Sequence, residues 1–274
     1  MGSSERRVVV VTGGSRGLGR GLCEAFLARG SEVVLCGRGA AAVHGAAAEM
    51  GEDGKRGRVL GVVADVARYD DVLRVWECAV ERFGRVDVWI NNAGASNAQR
   101  AFQDLPASAI EDVVGANLVG TMNGVHVALT GMRKQGHGHV FTMEGYGSDG
   151  AMQPGMAIYG ATKSAIRYFT RSVVNETRGG AVKVGSLSPG IVVTDLLVDV
   201  YAKGDPSNWK KQRFLFELIA DRVEDVAPWL VDRVLAGPKH GEHVAWMTVT
   251  KALLRALQPR YYRRKLFGGR LPST

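Results

Sequence analysis

Short runs of consecutive β-branched and aliphatic residues alternate along this chain with longer stretches in which apolar side chains recur every three or four positions. The first pattern predicts strands buried on both faces of a sheet, and the second predicts amphipathic helices. Residues 7–12 (RVVVVT) read as a first strand. Residues 17–29 read as a helix with Leu18, Leu22, Phe26 and Leu27 on one face, closed by Gly30. Strand and helix then alternate: strand 32–36, helix 40–50, strand 59–63, helix 69–83 with Val72, Val75, Trp76 and Ala79 in register, and strand 86–90. A long helix over 108–133, a strand at 139–143, a helix over 155–177 and a strand at 182–187 continue the series. Helices at 207–220 and 223–235 lead to a last strand at 244–246. Such alternation predicts an α/β fold, a single-domain Rossmann-type doubly wound parallel sheet of about seven strands.

The first strand runs directly into Thr12-Gly13-Gly14-Ser15-Arg16-Gly17-Leu18-Gly19, which opens a helix. Gly13 permits a tight turn, Gly17 lets backbone approach a pyrophosphate, and Gly19 allows the helix to pack closely on the sheet. A glycine trio alone is a weak signal; its place between strand and helix in the first unit makes it a dinucleotide cradle. Sites for NAD usually carry an Asp or Glu at the end of the second strand, where this chain has Cys36-Gly37-Arg38. Two guanidiniums, Arg16 and Arg38, with no carboxylate suit a 2′-phosphate, so NADP(H) is the expected cofactor.

Tyr159 and Lys163 stand at i and i+4 and therefore face the same way on a helix. A free phenol titrates near about 10, and a neighbouring ammonium makes its proton easier to exchange. With TGGSRGLG (12–19), Asp65-Val66, Asn91-Asn92-Ala93-Gly94, Asn117, YGATK (159–163) and Pro189-Gly190 with Thr194, the chain resembles the short-chain dehydrogenase/reductase family over nearly its whole length. The resemblance implies that Asp65 meets the adenine, beside Val66, and that Asn92, with Ala93 and Gly94, supports the sheet next to the adenine ribose. It further implies that Lys163 holds the nicotinamide ribose and that Asn117 anchors a proton-relay water. Pro189, Gly190 and Thr194, with Val192 between them, would clamp the carboxamide. Ser15 and Leu18 join the cradle glycines in the cofactor set, and no metal is expected. The family's substrate-orienting serine falls at Tyr146 here. Ser148, two residues on in a glycine-rich loop, becomes the candidate carbonyl-orienting hydroxyl, with Tyr146 as a substitute donor and turn-shaping as the alternative role for Ser148.

Residues 138–150 (GHVFTMEGYGSDG) and 188–197 (SPGIVVTDLL) are similar to the corresponding segments of chlorophyll b reductases. That resemblance implies reduction of a formyl group on a hydrophobic ring system. Lipid-like or steroid-like carbonyls are the alternative substrates, and a non-catalytic NADP(H) sensor is the competing class. Leu196, Leu197, Tyr201, Trp209, Phe214, Phe216 and Leu218 offer either an apolar pocket or ordinary core.

The charge places the remaining expectations. Of 35 basic residues, seven (Lys251, Arg255, Arg260, Arg263, Arg264, Lys265 and Arg270) lie in 251–274, which has no acid; the rest of the chain balances 28 basic against 27 acidic residues. A catalytic domain over 1–250 and a basic, aromatic-rich tail over 251–274 follow. A neutral body argues against nucleic acid as a partner. Residues 248–258 read as a tail helix with Leu253, Leu254 and Leu257 on one side and Lys251 and Arg255 opposite, which Pro259 should end. Aromatics interleaved with cations beyond it suit peripheral contact with an anionic membrane, or packing on the chain's own pocket or on a second subunit. Cys23, Cys36 and Cys78 form no CxxC pair, the first residues lack an apolar leader, and Arg6 breaks a myristoylation motif at Gly2. A reducing, cytoplasmic setting is expected, with a hydrophobic small-molecule substrate and the family's homodimer or homotetramer.

Overall fold

Four consecutive valines, Val8 to Val11, leave the first strand no polar face, so it must be covered on both sides. The structure, a computed structural model, describes residues 6–52, 56–202 and 206–267; Gly2 and Arg270 lie outside them. Seven strands form one sheet: β1 (Val8–Thr12), β2 (Glu32–Gly37), β3 (Val59–Val63), β4 (Val88–Asn91), β5 (Gly138–Met143), β6 (Val182–Ser188) and β7 (His243–Ala245). Every neighbouring pair is parallel, in the order β3-β2-β1-β4-β5-β6-β7. Val9 and Val11 join Leu22, Phe26, Val33, Leu35, Phe141 and Leu230 in one core layer, beneath α1 (Gly17–Ala28), α2 (Ala40–Met50) and α9 (Val223–Leu235). Val10, one residue out of phase, joins Val34, Val75, Trp89, Val125 and Val140 in the other, beneath α3 (Tyr69–Phe83), α5 (Gly120–Gln135) and α6 (Ala157–Glu176). The period-two alternation of the strands divides one run of valines between two cores.

Three elements depart from the sequence reading. The helix expected over 108–133 is α4 (Ser108–Val114), a π-helical turn at Gly115–Val119, and then α5. Asn117 sits in that turn and is engaged with backbone outside the helix (below), a use of the side chain that the wider turn accommodates. A helix the sequence reading did not separate, α7 (Asp195–Ala202), precedes α8 (Pro206–Ile219). Pro259, expected to stop the tail helix α10 (Val249–Ala256), also starts another, occupying the first turn of α11 (Pro259–Tyr262), where a missing N–H costs nothing.

The tail is part of this body as far as residue 267. Phe267 is buried with Tyr201, Trp209 and Phe216, its ring 4.8 Å from that of Trp209. The apolar residues named above as pocket or core therefore divide: Tyr201, Trp209, Phe216 and Leu218 are core, whereas Leu196 and Phe214 are exposed. Among the described residues no helix is long and apolar enough to cross a membrane.

His139, at the start of β5, stacks on Phe141 at 4.0 Å and is buried. Burial, reinforced by Lys183, pushes its imidazole down to about 3, against an ordinary 6.5. The folded protein thus holds this ring neutral while the unfolded chain protonates it, so stability present above pH 6.5 is lost as the pH falls towards 3. Urea unfolding of wild type and His139→Phe across that range should show the variant losing distinctly less stability on acidification; parallel curves would be the contrary result.

Candidate active site

The sheet reverses its winding between β1 and β4, and a crevice opens at their C-terminal ends. Thr12, the last residue of β1, ties its walls together. Its Oγ1 accepts from the backbone N–H of both Asn92 and Ala93 at 3.0 Å, and Asn92 Nδ2 donates to the Thr12 carbonyl at 2.9 Å. One rim of the crevice is the glycine turn. A Cβ on Gly19 would fall 2.1 Å from the Gly13 carbonyl oxygen, so the turn closes only with glycine there. Gly17 has φ of +55°, and a Cβ on it would meet nothing nearer than Thr194 at 3.5 Å. It would project into the gap between the glycine turn and the 189–194 loop, the space a dinucleotide needs. α1 begins at Gly17 with no side-chain cap and no acid in its first turn, leaving its N-terminal N–H groups for an anion. These residues fit a dinucleotide pyrophosphate.

At the end of β2, Arg38 is exposed, as is Arg16 in the glycine turn, and neither has an acidic partner among the described residues. Arg20, by contrast, is held between Glu24 and Glu49. Ser15 Oγ lies 3.3 Å from where a Cβ on Gly37 would stand, which puts the turn beside the end of β2. After β3, Asp65 receives the Ala67 N–H on Oδ1 at 3.0 Å. Val66 is buried under α5, its carbonyl accepting from Asn123 at 3.0 Å.

Across the crevice, α6 carries Tyr159 and Lys163 one turn apart, both facing the end of β5. A Cβ at Gly145 would lie 2.6 Å from the Tyr159 hydroxyl and 3.2 Å from Lys163 Cε, so only glycine leaves room for this pair. Lys163 Nζ donates to the Met143 carbonyl at 3.1 Å and stands 5.7 Å from the centre of the Tyr159 ring. Burial pushes the phenol up to about 12 and the ammonium down to about 8. The pair is therefore poised with the phenol firmly protonated and the lysine within reach of neutral pH.

Asn117 does not reach this pair directly. Its Oδ1 accepts the Ala95 N–H at 2.7 Å, and its Nδ2 donates to the Ala95 carbonyl and to Thr162 Oγ1, both at 3.0 Å. It locks the loop after β4 to the helix that bears Tyr159. Ser148 bends back as its loop suggests: its Oγ accepts the Gly145 N–H at 3.1 Å, which brings it beside the glycine that faces Tyr159 and leaves its own proton to donate. Tyr146 is half exposed, with its phenol raised by burial and by Asp149.

Two further groups stand at the site without any motif to mark them. Glu144 is buried at the end of β5, 3.5 Å from His243 Nδ1; burial raises its carboxyl, but the His243 contact prevails and holds it below the ordinary range. Asp221 organises the other side of the site. Its backbone pairs with the 189–194 loop, donating to the Ile191 carbonyl and accepting from the Val193 N–H, both at 2.9 Å. Its buried carboxylate receives Arg255 at 2.8 Å, Arg264 at 3.1 Å and Trp246 Nε1 at 2.6 Å. Within that loop Gly190 has φ of +69° and packs on Met247, Val192 is buried, and Thr194 faces Gly17.

Residues 7–204 match the model of the short chain dehydrogenase family. The chain belongs to that family. Its members are oxidoreductases, and a nicotinamide dinucleotide is the cofactor its crevice is built to receive. A chloroplastic protein of Oryza sativa subsp. japonica, named a probable chlorophyll(ide) b reductase, is 34% identical over 264 residues, covering 90% of this chain and 51% of the other. A second chloroplastic protein of the same plant, a chlorophyll(ide) b reductase, is 33% identical over 257 residues, covering 90% and 73%. The chain thus spans about half the length of the first relative. Among solved structures, a levodione reductase superposes with a TM-score of 0.80 at 27% identity, over 90% of this chain and 98% of that one.

The depressed lysine has a measurable cost. Since Lys163 falls from 10.5 to about 8 on folding, the buried ammonium destabilises the cofactor-free protein below pH 8, and the penalty is relieved as pH rises from 8 to 10.5. By the size of that shift, Lys163→Met should be more stable than wild type by roughly 3 kcal/mol at neutral pH, with the gap narrowing above pH 8. Urea midpoints of the two proteins test this; a less stable variant would contradict it.

Proposed function

We propose that the chain is an NADP(H)-dependent reductase that turns the carbonyl of a hydrophobic substrate into an alcohol, with the formyl group of chlorophyll b or a related tetrapyrrole as its leading substrate. The observation that carries the chemistry is the pair of a half-buried Tyr159 and a buried Lys163, both facing Gly145. The preference for NADP(H) is supported by Arg16 and Arg38, both exposed and without acidic partners among the described residues, where a carboxylate would favour NAD. The substrate class rests on likeness to chlorophyll(ide) b reductases over nine-tenths of the chain, including the loop that bears Ser148.

In this reading Gly13, Gly17, Gly19 and the first N–H groups of α1 would hold the pyrophosphate, Asp65 the adenine and the 189–194 loop the carboxamide. A dihydronicotinamide held there would supply the hydride for the carbonyl carbon. Tyr159, kept protonated by its burial, gives its proton to the carbonyl oxygen. The Lys163 ammonium stabilises the phenolate left behind, which regains a proton from solvent. Ser148 donates to the same carbonyl oxygen and aligns it. Asn117 holds the helix and the loop that frame the reacting atoms.

Anaerobic incubation with NADPH or NADH and chlorophyll b, with chromatography of the products, tests this directly. The hydroxymethyl product should form with NADPH, and Tyr159→Phe should reduce turnover about 10²–10⁴-fold. Ser148→Ala should cost about 10²–10³-fold, whereas Tyr146→Phe should cost little, and Arg38→Asp should shift preference towards NADH. Turnover should be level below pH 8 and decline above it as Lys163 loses its proton. If only simple apolar aldehydes or ketones react, the reductase stands and the tetrapyrrole does not. If NADPH binds and nothing reacts, the protein is a sensor.

A further inference from the structure

Helix α10 is built inside out. Val249, Leu253 and Leu257, spaced four apart, with Leu254 beside them, point to solvent; Leu257 is 80% exposed and Leu253 63%. On the opposite side of the same helix Arg255 is only 4% exposed, committed to Asp221. A surface helix of a globular protein ordinarily turns its apolar stripe inward. Here the ion pair fixes the rotation of α10 and holds the leucines outward. The apolar surface continues past the helix. Tyr262, half exposed, donates to the Ala256 carbonyl, and its ring lies 5.8 Å from that of Phe214, which is exposed beside Leu215 on α8.

Cations flank this surface. Arg260, Arg263 and Lys265 are exposed, and neither Arg263 nor Lys265 has an acidic partner among the described residues. Two acids that the C-terminal segment touches are already engaged: Asp221 by two arginines, and Glu217 by the Leu266 N–H at 2.7 Å. An apolar face this large with a cationic rim calls for an occupant. A second copy docking patch to patch would bring like charges together, whereas a bilayer with anionic headgroups offers both an apolar boundary and opposite charge.

We propose that the outer face of α10, with Phe214, Leu215 and Tyr262, is a membrane-docking surface that seats the protein on an anionic lipid bilayer. Its leucines and aromatics enter the headgroup–acyl boundary while Arg260, Arg263 and Lys265 meet the headgroups. This surface is separate from the residues assigned to catalysis and stands or falls independently of them.

The test is flotation of the full chain with vesicles of phosphatidylcholine alone and of phosphatidylcholine with added phosphatidylglycerol, at low and high salt. The protein should float with the anionic vesicles, remain behind with the neutral ones, and be released by salt. Leu253→Ser with Leu257→Ser should abolish flotation while circular dichroism and NADPH binding stay unchanged. Arg263→Gln and Lys265→Gln should each weaken binding about fivefold. Absence of flotation, equal flotation with both vesicles, or no effect of the serine pair would overturn the proposal. So would concentration-dependent self-association in sedimentation velocity that the serine pair removes, since a second copy would then be the occupant.

Discussion

The site depends on one constraint, the reversal of winding between β1 and β4 and the knot that holds it. Two parallel strands whose chains depart to opposite faces leave a crevice that backbone hydrogen bonding alone does not brace. Thr12 and Asn92 brace it, with one hydroxyl accepting two N–H groups and one amide returning to the strand end. The glycine turn then begins at a fixed place, and so does the loop that Asn117 fastens to α6. The position of Tyr159 relative to the cradle is thus tied to the strand ends through Asn117.

Within that frame, burial does most of the chemical tuning. Among the described residues neither Tyr159 nor Lys163 forms an ion pair; withdrawal from water raises one and lowers the other, with Glu144 opposing only part of the fall at Lys163. A phenol that keeps its proton suits donation to a carbonyl. An ammonium that is costly to bury suits a site that gains a negative charge next to it during the reaction. Stability and function pull in opposite directions at this lysine.

What could be read from the sequence was what leaves a local trace. The strands declared themselves through valine runs, the cradle through glycines at 13, 17 and 19 between strand and helix, and the Tyr159–Lys163 pair through a single helical turn. The wide turn at Asn117 left no trace, and the side chain within it bonds to Ala95, 22 residues earlier. Asp221 was invisible for the same reason: its partners Arg255 and Arg264 lie 34 and 43 residues away, and no periodicity encodes a pairing across that distance. The tail leucines were correctly placed on one side of a helix, but which side faces the protein was decided by that remote carboxylate. The role of Gly145 could not be read either, since the space a glycine leaves has meaning only once Tyr159 is seen opposite.

Asp221 also joins two regions that the chain keeps apart. Its backbone is stitched to the 189–194 loop and its carboxylate to the C-terminal helices, so neither can open without disturbing the other. Opening the loop would therefore cost contacts of the helices as well. A ligand that ordered the loop from the crevice side would by linkage slow amide exchange in α10 as well. Asp221 is the contact through which the two would be joined.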